Sequence, residues 1–395
     1  MTEALPRADW SFPTRIRFGA GRVAELPEAC RSLGMSRPLL VTDEGLARHP
    51  MIAEAIARNQ ASGLPTGLFA RVRPNPLAGN VTEGLGVFRA GGHDGVIAFG
   101  GGSSLDAGKA IAFMSVQREP IEALTVASFA EFQAVQGKIV TCGLPPVVSV
   151  ATTSGTGSEI GRSAALIDEA SLTKKGLFHE RMMPGIAIAD PALTVGLTPA
   201  LTAAVGMDAL SHNLEAYCCP FYHPIAEGAG LRGVALIKEW LPLAVADGAD
   251  LMARSQMMTA SLAGAVAFQK GVGGVHALSH PLSSVLGVHH GLGNAVLMPY
   301  VVAFNRSAIA DKLAALARYL GVGTRPEAVI EWIVALRAEI GIPHTLDAIG
   351  VPEARVPEFA AMAERDVNAP ENPVKITAAI AERLYRAAFA GEVGG

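Results

Sequence analysis

The chain has 395 residues, of which 50% are hydrophobic and 17% charged, and its formal net charge at pH 7 is −4. This length and composition supply enough apolar material for two packed domains. The nearly balanced charge excludes the basic field on which nucleic-acid binding depends. The sequence shows neither a basic start followed by an apolar run nor an apolar stretch of bilayer length. Its four cysteines form no CxxC pair, so we expect a cytoplasmic protein with reduced thiols that binds neither nucleic acid nor membranes.

The first half of the chain has the pattern of an α/β domain. Short apolar runs alternate there with helical patterns; the runs are PLLVTD, GVIAFGGG, PVVSVATT, AALID and GIAIAD. This alternation predicts a mainly parallel sheet with crossover helices. After Pro199 the strand signals stop and apolar residues recur at helical spacing. We predict an α/β domain over residues 1–195 and an all-α domain over residues 196–395.

The segment WSFPTRIRFGAG near the start of the chain is a further candidate strand. A strand at the edge of a sheet exposes unpaired backbone groups and invites pairing with another subunit. We therefore expect a homodimer or a larger homo-oligomer.

A glycine cluster, Gly100 to Gly102, lies between a predicted strand and a predicted helix in GVIAFGGGSSLDAGKAIA. Glycines at this position let backbone amides approach a pyrophosphate at the helix N-terminus. The cluster departs from the G-x-G-x-x-G pattern, and a simple tight turn is the alternative interpretation. A second polar loop, TTSGTGSE at 152–159, follows another apolar strand and offers hydroxyls and amides to the same ligand. Two such loops at strand ends predict a nucleotide cleft.

Asp43 ends the predicted strand PLLVTD. A carboxylate at that place accepts hydrogen bonds from a ribose diol and repels a 2′-phosphate, which favours NAD over NADP. The alternative role for Asp43 is to cap the helix that follows it.

Four residues form a candidate metal site: Asp208, His212, His276 and His290. Asp208 and His212 are four apart in a predicted helix, so both side chains lie on one face and can share one ion. Three imidazoles and one carboxylate suit a divalent metal of intermediate hardness, iron(II) or zinc(II). A lone histidine is more often a packed or surface residue, but four histidines crowd one apolar region: His276, His280, His289 and His290. The sequence alone leaves open which of these four bind the ion. His280 lies four residues after His276 and precedes Pro281, which we expect to bend or end that helix.

These motifs resemble those of the iron-containing alcohol dehydrogenases over nearly the whole chain. The segments that carry the resemblance are GGGSSLDAGK, TTSGTGSE, GMDALSH and GVHALSHPLSSVLGVHHGLGNAVLMPYV. The resemblance implies a Rossmann-like N-terminal domain with a helical C-terminal one, and it implies the four metal ligands named above, with Fe(II) as the first choice. It places His280 beside the nicotinamide and the substrate. The NAD contacts that it implies are Asp43, Asn75, Gly100, Gly101, Gly102, Ser103, Ser104, Thr152, Thr153, Thr156, Lys174 and Leu193.

The likeness is strongest to the 4-hydroxybutyrate dehydrogenase branch, because Lys270 stands where many members have asparagine and FHERMMP follows the second loop. We therefore expect a short hydroxy acid and its semialdehyde, 4-hydroxybutyrate and succinate semialdehyde, as substrates. A carboxylate substrate needs a cation, for which Lys270 and His179 are the candidates. Arg162 is a weaker one, with a structural ion pair as its alternative. His280 is expected to relay the hydroxyl proton, or else to orient a metal ligand.

Three other activities remain open. A general primary alcohol dehydrogenase would need no cation in the pocket. A hydroxyacid–oxoacid transhydrogenase would depend on an added oxo acid, and a dehydroquinate synthase-like lyase would return the hydride within each turnover. Net NADH formation separates the lyase from the dehydrogenases.

Overall fold

The computed structural model describes residues 14–394, except for the side chains of residues 129 and 130. Its strands are β1 (Arg15–Phe18), β2 (Pro38–Asp43), β3 (Gly67–Val72), β4 (Gly95–Gly100), β5 (Val147–Ala151), β6 (Ser163–Asp168), β7 (Thr173–Phe178) and β8 (Ile186–Ala189). Six of them form one sheet in the order β1-β8-β5-β4-β2-β3, and every pair in it is parallel. The α/β fold predicted for the first half is therefore confirmed.

Helices surround the sheet and make up the second half. Those of the first half are α1 (Leu26–Ser32), α2 (Glu44–Ala47), α3 (Pro50–Ala61), α4 (Ala78–Ala90), α5 (Gly102–Met114) and α6 (Phe129–Val135). Those of the second half are α7 (Pro199–Cys218), α8 (Pro224–Ala246), α9 (Leu251–Ala267), α10 (Gly274–Leu286), α11 (His290–Asn305), α12 (Ala310–Leu320), α13 (Glu327–Glu339), α14 (Val356–Glu364) and α15 (Ala378–Ala390). Within residues 14–394, no helix has both the length and the apolarity needed to cross a membrane.

Both faces of the sheet are buried, as a parallel sheet covered by crossover helices requires. In β4 the side chains alternate: Val96 and Ala98 join the apolar cluster that contains helix α5 residues, while Ile97 and Phe99 join the cluster on the opposite face. The carboxyl ends of the strands are consequently the place where polar side chains can meet.

One predicted strand of the sheet lies elsewhere. The run AALID belongs to β6, which pairs with β7 in a separate antiparallel hairpin. Only residues 169–172 join these strands, and so short a link cannot make the crossover that a parallel pair needs.

The two halves meet in a short connection. The last strand ends at Ala189, a short 3-10 turn spans Pro191–Thr194, and α7 begins at Pro199 with Thr198 as its N-cap. The predicted boundary between residues 195 and 196 falls in this connection, and the division into two domains stays a prediction. The candidate edge strand corresponds to β1, at one end of the sheet, while its first residues, Trp10 to Pro13, lie outside the described residues.

Helix α7 is the centre of the second half and is buried from Thr202 to Cys218. Close packing against α11 depends on Gly291, since a Cβ there would lie 2.3 Å from the carbonyl oxygen of Ala204. Helix α10 continues through Pro281 to Leu286, so the proline does not end this helix, and the other expected outcome, a bend, stays a prediction. The helices α7, α10 and α11 thus bring their polar residues together in the core.

Candidate active site

A crevice opens at the carboxyl ends of β2 and β4. The chain leaves β2 for the sheet edge at β3 and returns to β4 on the other side of β2. Helices that follow neighbouring strands diverge at such a reversal, and ligands of open α/β sheets bind there. Asp43 ends β2 and the glycine cluster ends β4, so the crevice brings both predicted cofactor elements to one place.

The glycine cluster adopts a backbone that side chains would obstruct. Gly100 has φ +147°, and a Cβ on it would lie 2.7 Å from the Ser104 side chain. A Cβ on Gly102 would lie 2.7 Å from the Thr156 methyl group. Helix α5 begins at Gly102 without a side-chain cap, so its first amides remain available to an anion.

The second polar loop lies against this turn. Thr152 donates its backbone N–H to the Gly100 carbonyl oxygen at 3.0 Å. The side chains of Thr153 and Thr156 lie beside Gly101 and Gly102 respectively. Both predicted loops therefore border the same crevice.

Asp43 was predicted either to contact the cofactor or to cap a helix, and its two carboxylate oxygens have different contacts. Its Oδ1 accepts the backbone N–H of Leu46 at 2.8 Å and caps α2. Its Oδ2 accepts the Ser104 hydroxyl at 3.3 Å and faces the glycine turn. Asp43 therefore caps α2 and also borders the crevice.

The remaining predicted cofactor residues are spread around the crevice. Asn75 has a left-handed backbone, with φ 52°, and its N–H donates to the Ser103 hydroxyl at 3.1 Å. Leu193 is half-buried against the apolar cluster that contains Ile97 of β4. Burial lowers the pKa of Lys174 in β7, and the carboxylates that act on its charge are Asp106, Asp208 and Asp366. Lys174 therefore lies between the glycine-turn helix and the second half.

The candidate metal residues converge in the helical half. Asp208 of α7, His276 of α10 and His290 of α11 offer ligand atoms that all lie within 4.8 Å of one another. Burial lowers the pKa of His290 well below its ordinary value, and nearby Lys174 acts in the same direction. A neutral imidazole keeps a lone pair for a cation.

His212 lies beside this group of three. Its ring stacks on that of His276, with centroids 4.9 Å apart, and its Nδ1 lies 3.2 Å from the Gly155 carbonyl oxygen. An N–H at Nδ1 leaves Nε2 as the free acceptor, and burial lowers the pKa of this histidine too. Three imidazoles and one carboxylate fit a borderline divalent cation such as Fe(II) or Zn(II).

Asn294 of α11 is a site residue that our sequence reasoning missed. Its Nδ2 lies 2.8 Å from Asp208 Oδ1, 3.2 Å from His290 Nε2 and 3.5 Å from His276 Nε2. The spacing of four from His290 placed it on the same helix face, so the signal was present. One amide thus contacts atoms from all three converging helices.

Glu215 and Phe268 were also missed. Glu215 follows Asp208 by seven residues on α7, hence on the same face, and its Oε2 lies 2.5 Å from His276 Nδ1. The ring of Phe268 meets that of His212 edge-on at 5.5 Å and forms an apolar wall.

His280 lies next to the cluster and has its own carboxylate partner. Its ring stacks on that of His290 at 5.3 Å, and its Nδ1 lies 2.7 Å from Asp366 Oδ2. Burial lowers the pKa of His280, while Asp366 opposes this effect. The N–H at Nδ1 donates to the carboxylate, so Nε2 is the atom that can accept a further proton.

The structure places Lys270 otherwise than expected. Its side chain is buried, and its Nζ donates to Glu227 Oε1 at 2.6 Å and lies 3.3 Å from the Tyr217 carbonyl oxygen. Lys312 binds the same two oxygens, at 2.9 and 2.7 Å. Because the Lys270 charge is already paired, this geometry favours a structural role over the holding of a substrate carboxylate.

His179 and Arg162 also lie outside the cluster. The Nδ1 of His179 accepts the Arg181 N–H at 3.0 Å, and its ring lies 5.8 Å from that of Phe113. Phe113 is eleven residues along α5 from Gly102, about 16 Å at the helical rise, so His179 lies near the far end of this helix. Arg162 is exposed. The substrate contact expected of His179 and Arg162 stays a prediction.

A parallel sheet with a crevice at a reversal of strand order is an arrangement in which dinucleotides bind, and the helical half adds a group of buried candidate metal ligands. Family models of iron-containing alcohol dehydrogenase match residues 13–191, and those of the Fe-containing alcohol dehydrogenase C-terminal region match residues 202–389. The chain therefore belongs to the iron-containing alcohol dehydrogenase family and is an oxidoreductase. The resemblance drawn from its sequence motifs is confirmed.

Similar proteins span nearly the whole chain. The 4-hydroxybutyrate dehydrogenase of Cupriavidus necator is 36% identical over 382 residues, which are 94% of this chain and 97% of that protein. The NAD-dependent methanol dehydrogenase of Bacillus methanolicus is 36% identical over 371 residues, 92% of this chain and 94% of that one. The crystal structure of a 1,3-propanediol oxidoreductase matches with a TM-score of 0.91 and 35% identity, covering 97% of this chain and 100% of that chain.

Proposed function

We propose that this protein uses NAD and one divalent metal ion to interconvert a short primary alcohol and its aldehyde. The observation that carries the proposal is the cluster of Asp208, His276 and His290, whose ligand atoms lie within 4.8 Å of one another, with His212 stacked on it. The proposed cofactor residues are those named at the crevice, from Asp43 through the glycine turn to Lys174. The proposed metal is Fe(II), and Zn(II) suits the same donors.

When bound, the cation supplies Lewis-acid stabilisation of the charge that develops on the alcohol oxygen, and NAD accepts the hydride. The residues of the chain supply the metal ligands and the proton acceptor. The imidazoles of His212, His276 and His290 and the Asp208 carboxylate would hold the cation, and the apolar ring of Phe268 lies edge-on to His212 beside it. His280 accepts the hydroxyl proton at Nε2, because Asp366 holds its Nδ1–H.

4-Hydroxybutyrate is the second candidate substrate, since a 4-hydroxybutyrate dehydrogenase stands among the relatives at 36% identity, level with a methanol dehydrogenase. A carboxylate substrate was expected because the Lys270 ammonium could hold it, but that ammonium is paired with Glu227. A short alcohol without a carboxylate needs no such partner, and we rank it first.

The test is NADH formation by the metal-loaded protein with matched pairs of ω-hydroxy acids and neutral alcohols. We expect His276→Ala to lose metal and turnover together, because the cation loses one of its donors. His93→Ala is the control and should keep both, because His93 lies away from the cluster with its Nδ1 3.0 Å from the Arg37 carbonyl oxygen. A His276→Ala protein that keeps stoichiometric metal and full rate would contradict the metal assignment. Turnover that depends on an added oxo acid would instead indicate a transhydrogenase.

A further inference from the structure

Glu215 is held between two donors at the start of α10. Its Oε1 accepts the backbone N–H of Val275 at 2.7 Å, and its Oε2 lies 2.5 Å from Nδ1 of His276. The side chain is only 7% exposed. An ionised carboxylate only accepts hydrogen bonds, so both of its neighbours must present an N–H to it.

We propose that Glu215 is a positioning residue that fixes the tautomer of His276. With the proton held at Nδ1, the lone pair at Nε2 faces the cluster, where Nε2 lies 3.5 Å from the Asn294 amide that also contacts Asp208 and His290. The role of this tautomer in metal binding rests on the function proposed above. The tautomer itself is a property of the metal-free chain.

Because the Val275 N–H fixes which atom of residue 215 faces it, the conservative change Glu215→Gln is expected to alter the His276 tautomer. In Glu215→Gln the amide oxygen must face Val275, because two donors cannot face each other. The amide NH₂ then points at Nδ1 of His276 and favours the imidazole with its proton on Nε2. That tautomer has no lone pair for the cation, so the isosteric change removes the ligand by reversing one hydrogen bond.

Glu215→Ala is expected to be the milder change for metal binding. A cavity lined by Glu215, Asn305 and Asn372 lies beside the carboxylate, and truncation enlarges it. A water there can accept from both N–H groups, which leaves the proton on Nδ1. For folding stability the order is the reverse, because the glutamine fills the volume that alanine vacates.

Glu371 provides a matched control. Its Oε2 accepts the backbone N–H of Val272 at 3.0 Å, just before the same helix. Glu371→Gln keeps that acceptor and breaks no hydrogen bond to a histidine among those found in the described residues, although it removes a charge that acts on His276 through space. It should therefore bind metal as the unaltered protein does.

The experiment has two arms. The first measures Zn²⁺ affinity of the four metal-free proteins by calorimetry, and we expect Glu215→Gln to bind at least tenfold more weakly than the unaltered protein and more weakly than Glu215→Ala. The second reads the His276 tautomer in the metal-free proteins by two-bond ¹H–¹⁵N correlation. We expect Nδ1–H in the unaltered chain and Nε2–H in Glu215→Gln.

The two arms separate the inference from the proposed function. An unaltered protein that carries Nδ1–H on His276 but binds no Zn²⁺ refutes the metal site and leaves the tautomer inference standing. An Nε2–H tautomer in the unaltered protein, or an unchanged tautomer in Glu215→Gln, overturns the inference. So does a Glu215→Gln protein that binds Zn²⁺ more tightly than Glu215→Ala.

Discussion

At the scale of single residues, the same side chain often has a structural and a functional contact. Asp43 caps α2 with one oxygen and faces the glycine turn with the other. A substitution that removes both contacts cannot tell them apart. Asparagine caps a helix about as well as aspartate but carries no charge, which makes the roles separable.

We predict that Asp43→Asn narrows the preference for NAD over NADP without lowering stability. The carboxylate is expected to accept the ribose hydroxyls and to repel a 2′-phosphate, whereas the amide repels nothing. The measurement is kcat/KM for the two cofactors, with thermal unfolding as the check on the cap. Equal kcat/KM values for NAD and NADP in the unaltered enzyme would refute this role of Asp43.

Lys270→Met should reduce stability and leave substrate choice unchanged. Loss of the ammonium leaves Glu227 with Lys312 alone, and we expect a cost of about 2 kcal/mol in the free energy of unfolding. The control is Lys312→Met, which removes a half-exposed partner of the same carboxylate and should cost less. The ratio of kcat/KM for 4-hydroxybutyrate to that for butanol should stay constant, and a selective tenfold loss on the hydroxy acid would restore Lys270 as the carboxylate contact.

At the scale of elements, the crevice depends on how closely two loops approach. The start of α5 and the loop over 152–159 touch where Gly102 meets Thr156. Residue 102 must be glycine because a Cβ would meet the Thr156 side chain. Its backbone does not require glycine, since its φ lies outside the left-handed region.

Gly102→Ala is predicted to weaken NAD binding about tenfold, or about 1.4 kcal/mol, because the new methyl group separates the loops. Thr156→Ser removes the methyl group that lies 2.7 Å from the new Cβ and keeps the hydroxyl. The double variant should therefore recover part of the affinity. Dissociation constants measured by quenching of NADH fluorescence provide the comparison. If the double variant binds no better than Gly102→Ala, the loop contact is not the cause.

At the scale of the whole molecule, buried ionisable groups link stability to pH. Glu159 is 1% exposed, and its Oε1 has no hydrogen-bond partner among the described residues. Burial raises the pKa of Glu159 from 4.5 to about 7, although Lys109 opposes the shift. Between these values the folded state binds more protons than the unfolded state, so this group's contribution to stability falls as the pH rises.

Glu159→Gln should remove that dependence. Relative to the variant, the unaltered protein is expected to lose up to about 3 kcal/mol of unfolding free energy from pH 4.5 to pH 7. Thermal midpoints of both proteins at about pH 5 and about pH 8 measure it, with the exposed Glu54→Gln as control. If the unaltered protein instead gains stability relative to Glu159→Gln as the pH rises, the buried Glu159 is not the cause.

How much the sequence predicts depends on the distance between interacting residues. Asp208 and His212 were placed on one helix face because their spacing is local, and the spacing of Glu215 and Asn294 carried the same information. Asp366 lies 86 positions from His280, and no local pattern connects them. Lys270 illustrates the limit, because a lysine in an apolar segment looks the same whether its partner is a substrate or a glutamate 43 positions away.

The contact between His212 and the Gly155 carbonyl oxygen connects the proposed metal cluster to the loop at the proposed coenzyme crevice. If a cation holds the His212 ring, it also steadies the loop that borders the nucleotide crevice. The free energies around a closed cycle of binding steps sum to zero, so each ligand changes the affinity for the other by an equal factor. If the steadied loop favours the coenzyme, we expect loss of the cation to a chelator to loosen the coenzyme complex, and a saturating coenzyme pool to protect the cation from removal.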